Sequence, residues 1–375
     1  MKRLCIYVTY NKSYVIQDYV LHMLKALLRE KIDVVLVCNF PETVSNMASI
    51  IKLNLKYYCR ENKGYDAGAY KDALISYLGW DYVRKYDELI LTNDSFMGPL
   101  FDFATFLQQM DGKVCDYWGI TGQDAGELKN PIRKFERYIS SYFLCFRHSI
   151  LQSNCFEQYW ENLKYPMIFR EAQDFYELQL NEILREKGFK GCSYIPVDAY
   201  DLERNEIGYY VYGYEMVKDY RLPFLKKKSL LMRIKGFDNT LKVIDYLRSN
   251  SSYPAEWIEK VMDSQFITDD GNMTLAEFYL SKDDIVIYGN GVAGKNLKTY
   301  FAYKGWKYRC IAVTKRNGNE DVIEVQDLKI SKNIGIIIAV IKQEVADEIK
   351  ACIRRYHGDV ALFSLADCGA IRDPI

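Results

Sequence analysis

At 375 residues the chain is longer than one ordinary core organises, so two domains are the starting expectation. Fifty basic and fifty acidic residues cancel, which leaves no global field to draw nucleic acid or an anionic membrane. Aromatic residues make up 15% of the chain and include 32 tyrosines, whose rings suit either core packing or stacking on sugars and bases. The ten cysteines are scattered, with no C-x-x-C pair and no zinc-type spacing, the pattern of reduced thiols in a cytoplasmic protein. The apolar run after Met1-Lys2-Arg3 breaks at Thr9 and Asn11, too early for a signal peptide. The longest apolar run, Ile334 to Ile341, has the length of a strand and is too short to span a bilayer.

Leu4 to Thr9 reads as a buried strand, and apolar residues at helical spacing follow from Asp18 to Arg29. Val34 to Cys38 and Tyr57 to Cys59 read as strands, Ala67 to Leu78 as a helix and Glu88 to Leu91 as a further strand. This alternation implies a parallel sheet with helices on both faces. The rhythm then changes. Asp102 to Met110 looks helical, Tyr117 to Thr121 extended, and Tyr142 to Phe146 a strand. Helices are expected at Ile150 to Asn162 and Glu171 to Lys187, the latter capped by Gly188, with a closing strand at Tyr194 to Asp198. Leu225 to Phe278 reads as helical and strand-free. Lys226-Lys227-Lys228 at its start is read as a solvated face, with a weak peripheral membrane contact as the alternative.

A second α/β unit begins at Asp284. A strand at Ile285 to Tyr288 leads through Gly289-Asn290-Gly291-Val292-Ala293-Gly294 into a helix to Tyr303. Arg309 to Val313, Ile334 to Val340 and Val360 to Phe363 supply strands, and Gln343 to Tyr356 a helix. The expected organisation is therefore α/β throughout: a nucleotide-binding domain over residues 1–225, a helical linker over 226–281 and a small Rossmann-like domain over 282–375.

Two motifs follow buried strands and should sit at the carboxyl edge of the first sheet, where α/β proteins bind ligands. In Glu61-Asn62-Lys63-Gly64-Tyr65-Asp66-Ala67-Gly68 the glycines permit close backbone approach, and amides at a helix start favour an anion. Asp66 would repel a diphosphate, so it is expected to accept from a sugar or ribose hydroxyl, or to cap the helix. In Asn93-Asp94-Ser95 the carboxylate is the candidate charged centre. A Mg²⁺ or Mn²⁺ ion between it and a diphosphate would relieve repulsion of about 4 kcal/mol per charge pair at about 4 Å and an effective dielectric of about 20. Asn-Asp-Ser is also an ordinary turn sequence. His22, His148 and His357 form no cluster, and no nucleophile setting is recognisable. In the second unit, Gly289, Gly291 and Gly294 have a dinucleotide-binding context. The acid expected after the next strand is replaced by Thr314-Lys315-Arg316, so NAD is not expected.

Residues Leu4 to about Pro223 resemble the rhamnan synthesis F family of glycosyltransferases. The blocks that carry the likeness are Asn62 to Tyr70, Leu91 to Pro99, Asp116 to Thr121, Ser141-Tyr142-Phe143, and Tyr176-Glu177-Leu178 ahead of Glu186-Lys187-Gly188-Phe189. The resemblance implies a GT-A-like fold, a nucleotide-sugar donor and a glycan or lipid-linked glycan acceptor in polysaccharide synthesis at the inner face of the membrane. Rhamnose is the sugar it points to. Asn93-Asp94-Ser95 would take the place of the GT-A Asp-x-Asp with one acid fewer, and Ser140 stands where similar sequences have Gln. Asn62, Gly64, Asp66, Gly68, Asn93, Asp94, Ser95 and Trp118 would hold the donor. Glu171, Asp174 and Glu177 are three apart and share one helical face. Glu177 lies in the family block and is the expected base, with Asp174 second; an ordinary acidic surface is the plain alternative. Two other readings stay open: a non-catalytic nucleotide-binding scaffold and a sugar-nucleotide oxidoreductase led by the second unit.

Overall fold

The computed structural model describes residues 1–41, 46–129, 132–200, 207–316 and 321–372. It divides into two compact units, Met1–Lys226 with Asn250–Tyr253, and Lys227–Ser249 with Pro254–Ile375.

The first unit is built on a seven-stranded sheet: β1 (Arg3–Thr9), β2 (Asp33–Cys38), β3 (Lys56–Cys59), β4 (Glu88–Asn93), β5 (Tyr117–Gly119), β6 (Phe143–Arg147) and β7 (Gly191–Ser193). Their spatial order is β7-β5-β6-β4-β1-β2-β3. Every residue of β1 is buried, as a central strand covered on both faces requires. The helix Asp18–Arg29 lays Tyr19, Val20, Met23, Leu24 and Leu27 into the core. Strands β3, β2, β1 and β4 run parallel, whereas β6 is antiparallel to both β4 and β5. One reversed strand has a functional consequence. It brings the start of β6, around Tyr142, to the same edge as the ends of β1, β2 and β4, with Phe143 opposite Thr92.

At the opposite end of β4 lies a buried charge cluster. Glu88, 0% exposed, accepts from Arg3 Nε at 2.6 Å, Arg147 Nε at 3.1 Å and Trp118 Nε1 at 3.4 Å. Arg3 also pairs with Asp111, and Arg147 donates to the carbonyls of Met110, Lys113 and Cys115.

Several elements differ from the sequence reading. The expected helix over 67–78 is Tyr65–Asp72 followed by a wider π turn, Ala73–Leu78; that over 171–187 is Phe169–Ala172, a π turn Gln173–Leu178, then Gln179–Glu186. Gly188 (φ +83°) does follow the latter in a left-handed conformation. The helix expected over 150–162 is two, His148–Leu151 and Asn154–Asn162, with Ser153 Oγ bonding back to the Ile150 carbonyl at 2.7 Å. The closing strand falls earlier than Tyr194, at β7. Leu225–Lys226 is a short strand rather than the start of a strand-free stretch, paired antiparallel with Phe96–Met97.

The second unit is a five-stranded parallel sheet: β8 (Asp284–Tyr288), β9 (Cys310–Val313), β10 (Val322–Glu324), β11 (Ile334–Ile338) and β12 (Ala361–Ser364), in the order β10-β9-β8-β11-β12. Helices Val292–Lys304 and Gln343–His357 supply the crossovers expected of a Rossmann-like arrangement. Within this unit the helix Ala255–Ser264 is tied to the first crossover by Tyr300 Oη and Lys304 Nζ, which reach Asp263 at 2.8 and 2.7 Å. Among the described residues no helix is long and apolar enough to cross a membrane.

Candidate functional site

The carboxyl edge of the large sheet is stitched beyond the strands themselves. Asn39 N reaches the Thr9 carbonyl at 3.0 Å, Arg60 N the Cys38 carbonyl at 2.9 Å and Asp94 N the Val8 carbonyl at 3.1 Å. These bonds fix three loops side by side, and the side chains they carry form two connected groups.

The first group holds the glycine loop. Arg60 donates from Nε to Asp72 (2.8 Å), from Nη1 to Asn39 Oδ1 (2.7 Å) and from Nη2 to the Lys63 carbonyl (2.8 Å). Asn39 Nδ2 in turn reaches Asn62 Oδ1 at 3.2 Å and the Tyr65 carbonyl at 3.3 Å. Asn62 itself is exposed. Gly64 adopts φ +77°, and a side chain there would sit 2.8 Å from the Tyr165 ring. A Cβ at Gly68 would collide with the Lys63 carbonyl. Tyr165 and the loop's own backbone therefore leave no room for a side chain at either glycine. We expect Gly68→Ala to destabilise the first unit by about 1–3 kcal/mol, because the clash is with backbone that no rotamer relieves. Thermal melting checks this; an unchanged melting temperature would mean that the loop is looser than its hydrogen bonds indicate.

The second group is chemically richer. Asp66 accepts from Ala67 N at 2.9 Å and from Asn93 Nδ2 at 2.7 Å, so it joins the first turn of its helix to the end of β4. Asn93 Oδ1 accepts from Ser95 N at 3.0 Å. Glu177 Oε1 accepts from Ser141 N at 2.9 Å, just ahead of β6. Lys226 donates to Ser95 Oγ at 2.8 Å, and its ammonium lies 4.1 Å from the centre of the Tyr142 ring. Asp66, Asn93, Ser95, Ser141, Glu177 and Lys226 are all half-buried, so they line an accessible margin of an otherwise buried edge. Burial raises the Asp66 and Glu177 carboxyls above their ordinary values, while the charge of Lys226 draws both back. Beneath them, the fully buried hydroxyls of Tyr70 and Tyr176 have no hydrogen-bond partner among the described residues and feel the Asp66 charge.

Other sequence-derived candidates are engaged within the scaffold. Asp94 is 8% exposed and turned inward, its Oδ2 accepting from Thr9 Oγ1 at 2.9 Å and Tyr10 N at 3.2 Å. It ties β4 to β1. Asp174 pairs with Arg133, which also holds Glu182 at 2.6 Å, and Glu171 accepts from Met167 N at 2.7 Å. The π turn changes the angle per residue, so the three carboxylates do not share the face expected of them. Trp118 is 0% exposed and packs among Phe106 and Phe143, with no ring face for a ligand. Lys226 reaches Ser95 through a strand pairing with Phe96, 130 positions back, which no local pattern signals.

A divalent ion finds poor provision here. Among the described residues no three His, Cys, Asp or Glu side chains are grouped to hold one. Hard cations need several oxygen ligands, and Asp94 already engages one oxygen within the scaffold. In the second unit, Gly289 takes φ +109° and a Cβ at Gly294 would strike the Gly289 carbonyl, so the turn is tight for internal reasons. Thr314, at the position of the usual ribose-binding acid, pairs with the Tyr288 hydroxyl.

The fold and its edge define a Rossmann-type α/β protein whose polar cluster lies where such sheets take ligands, in keeping with a GT-A-like arrangement. The sequence matches Rhamnan synthesis protein F over residues 34–302, more than half of the chain, and the protein belongs to that family. It is thereby a glycosyltransferase of polysaccharide biosynthesis. The match runs past Pro223 and takes in the glycine turn of the second unit. No curated protein matches the sequence. Among solved structures, S. aureus TarS 1-349 aligns at 11% identity over 82% of this chain and 93% of that one, with a TM-score of 0.29, a likeness too distant to carry an argument.

Proposed function

We propose that the carboxyl edge of the first sheet binds a nucleotide-sugar donor and transfers its sugar to a hydroxyl of a growing glycan, with Glu177 as the base. The observation that carries this reading is the position of Glu177: a carboxyl group enclosed enough to hold its proton above the ordinary range, on a residue that still reaches solvent, fixed by Ser141 N at the ligand edge. A base tuned upward in this way suits removal of a hydroxyl proton near neutral pH. In the reaction Glu177 takes that proton, the acceptor oxygen bonds to the anomeric carbon, and the bond to the diphosphate breaks with its electron pair leaving on the nucleotide. Asp66, braced by Asn93, offers remaining lone pairs to donor hydroxyls, and Ser95 supplies a further polar contact. Gly64 and Gly68 shape the loop that positions Asp66.

Rhamnose, carried as dTDP-rhamnose, is the sugar we propose from the family's description, and a lipid-linked glycan at the inner membrane face the acceptor. The test is a panel of sugar nucleotides incubated with the purified chain, with released nucleoside diphosphate as the readout. Release from one or a few donors is expected, accelerated by an acceptor glycan. Absence of release from every donor, with acceptor present, would leave the scaffold reading in its place.

A further inference from the structure

We infer that Cys115 and Cys192 form a redox-modification site, a dithiol that peroxide oxidises reversibly to a disulfide at the border of the large sheet. The inference stands independently of the donor-site reading. The two residues are 77 positions apart in sequence, yet their Sγ atoms meet in hydrogen-bond contact at 2.7 Å. Cys192 is the middle residue of the edge strand β7, and Cys115 lies in the segment that enters β5. The bonds around them hold both segments in place. Asp116 N reaches the Lys190 carbonyl at 2.7 Å, and Lys190 N returns to Asp116 Oδ2 at 2.8 Å. Lys113 Nζ donates to the Ser193 carbonyl at 2.8 Å, and Arg147 Nη1 to the Cys115 carbonyl at 3.0 Å. A disulfide forms only where the backbone brings two sulfurs within reach, and here it does.

The two thiols differ in character. Cys115 is buried, whereas Cys192 is half-buried and open to a small oxidant. The bond from Cys115, with the charges of Lys113 and Arg147, draws the Cys192 thiol down to about 7 against the effect of its burial. The same bond, together with burial, pushes the Cys115 thiol up. Cys192 is therefore the attacking thiolate and Cys115 the resolving thiol. In the first step the Cys192 sulfur bonds to a peroxide oxygen and the O–O bond breaks. The hydroxide that leaves takes the proton Cys192 gave up, and Cys192 becomes a sulfenic acid. In the second step the Cys115 sulfur bonds to the Cys192 sulfur, the S–O bond breaks, and the departing hydroxide takes the Cys115 proton. Two thiols and one hydrogen peroxide give one disulfide and two waters, with two electrons passing from sulfur to oxygen. A dithiol reductant returns those electrons and is itself oxidised to a disulfide. A second thiol pair marks the contrast: Cys38 and Cys59 stand opposite each other between β2 and β3, but burial raises the Cys38 thiol. Phe146 pairs with both Leu89 and Tyr117, so the Cys115 end of β5 lies by the start of β4, away from the candidate donor edge. The cross-link thus acts on the stability of the edge strand.

The experiment treats the reduced full chain with hydrogen peroxide, alkylates the remaining thiols and reads intact mass and peptide maps over time. A peptide cross-linked through Cys115 and Cys192 should appear, and dithiothreitol should remove it. Both cysteines should be lost to alkylation at least about threefold faster than the other half-buried thiols, Cys155, Cys310 and Cys352. Cys115→Ser should stop the reaction at a Cys192 sulfenic acid, trapped as a dimedone adduct, whereas Cys192→Ser should leave Cys115 unmodified. The oxidised wild-type chain should melt above the reduced one, because the cross-link restricts the unfolded chain, and Cys192→Ser should show no such rise. A cross-link between Cys38 and Cys59 in place of this one overturns the assignment. So does oxidation of Cys192 in the wild-type chain without capture by Cys115, or a pair that reacts no faster than the other thiols. If Cys115→Ser does not fold, the wild-type peptide map and the Cys192→Ser variant still decide the matter.

Discussion

Glu177→Gln is expected to slow sugar transfer by about 10²–10⁴-fold, the usual contribution of a positioned general base, without lowering the stability of the chain at neutral pH. The sign of the second effect follows from the carboxyl group's surroundings. Burial raises its proton affinity, outweighing the Ser141 amide and the charge of Lys226. A group whose folded value is raised gives stability that is complete below its unfolded value and is lost as pH rises through the folded one. Above that raised value the wild-type protein carries an enclosed, ionised carboxylate, and the glutamine variant does not. Its melting temperature should match or exceed that of wild type there. The gap should close as pH falls through the raised value into the ordinary carboxylate range. Across the same window the wild-type transfer rate should decline, with its midpoint above the ordinary glutamate value of 4.5. A fully active Glu177→Gln would remove the residue from the chemistry. An inactive variant that also melts earlier at pH 7 would reduce it to scaffolding.

Glu88→Ala is expected to cost the first unit about 3–5 kcal/mol, the size seen when one partner of a buried ion pair is deleted. Glu88 is wholly buried and is the shared acceptor of Arg3 and Arg147. Truncating it leaves two guanidiniums facing a cavity, with Arg147 held in place by three backbone carbonyls. The loss is a large part of an ordinary domain's total stability of about 5–15 kcal/mol. Glu88→Gln keeps the shape and one acceptor oxygen, so a smaller loss is expected. Calorimetric unfolding of the full chain is the check, since it resolves transitions of separate units. A shift below about 1 kcal/mol, the worth of an exposed pair, would show that the cluster relaxes into solvent on truncation.

The comparison between sequence and structure turns on whether a feature is local. Strands β1, β2, β4, β8 and β11 announce themselves as apolar runs, and Gly188 announces a helix end, because burial and φ > 0 leave marks in a few adjacent residues. The loops carrying Asp66 and Asn93 could be assigned to the ligand edge from strand order alone. What the sequence concealed depended on distant partners. The reversed β6 brings Ser141 to Glu177, and the Phe96–Met97 pairing carries Lys226 to Ser95. A turn aspartate and a ligand-binding aspartate have the same neighbours in sequence, so the contacts of Asp94 with Thr9 Oγ1 and Tyr10 N left no local mark. Regular helical spacing likewise hid the π turn that separates Asp174 from Glu177.

The central claim is that the donor sits at the carboxyl edge of the large sheet, and hydrogen–deuterium exchange with and without the preferred sugar nucleotide tests it most directly. Slowed exchange should cover residues 61–68, 93–97 and 140–143, with little change at 289–296. Protection confined to the glycine turn at 289–296, with the large sheet's edge unaltered, would contradict it.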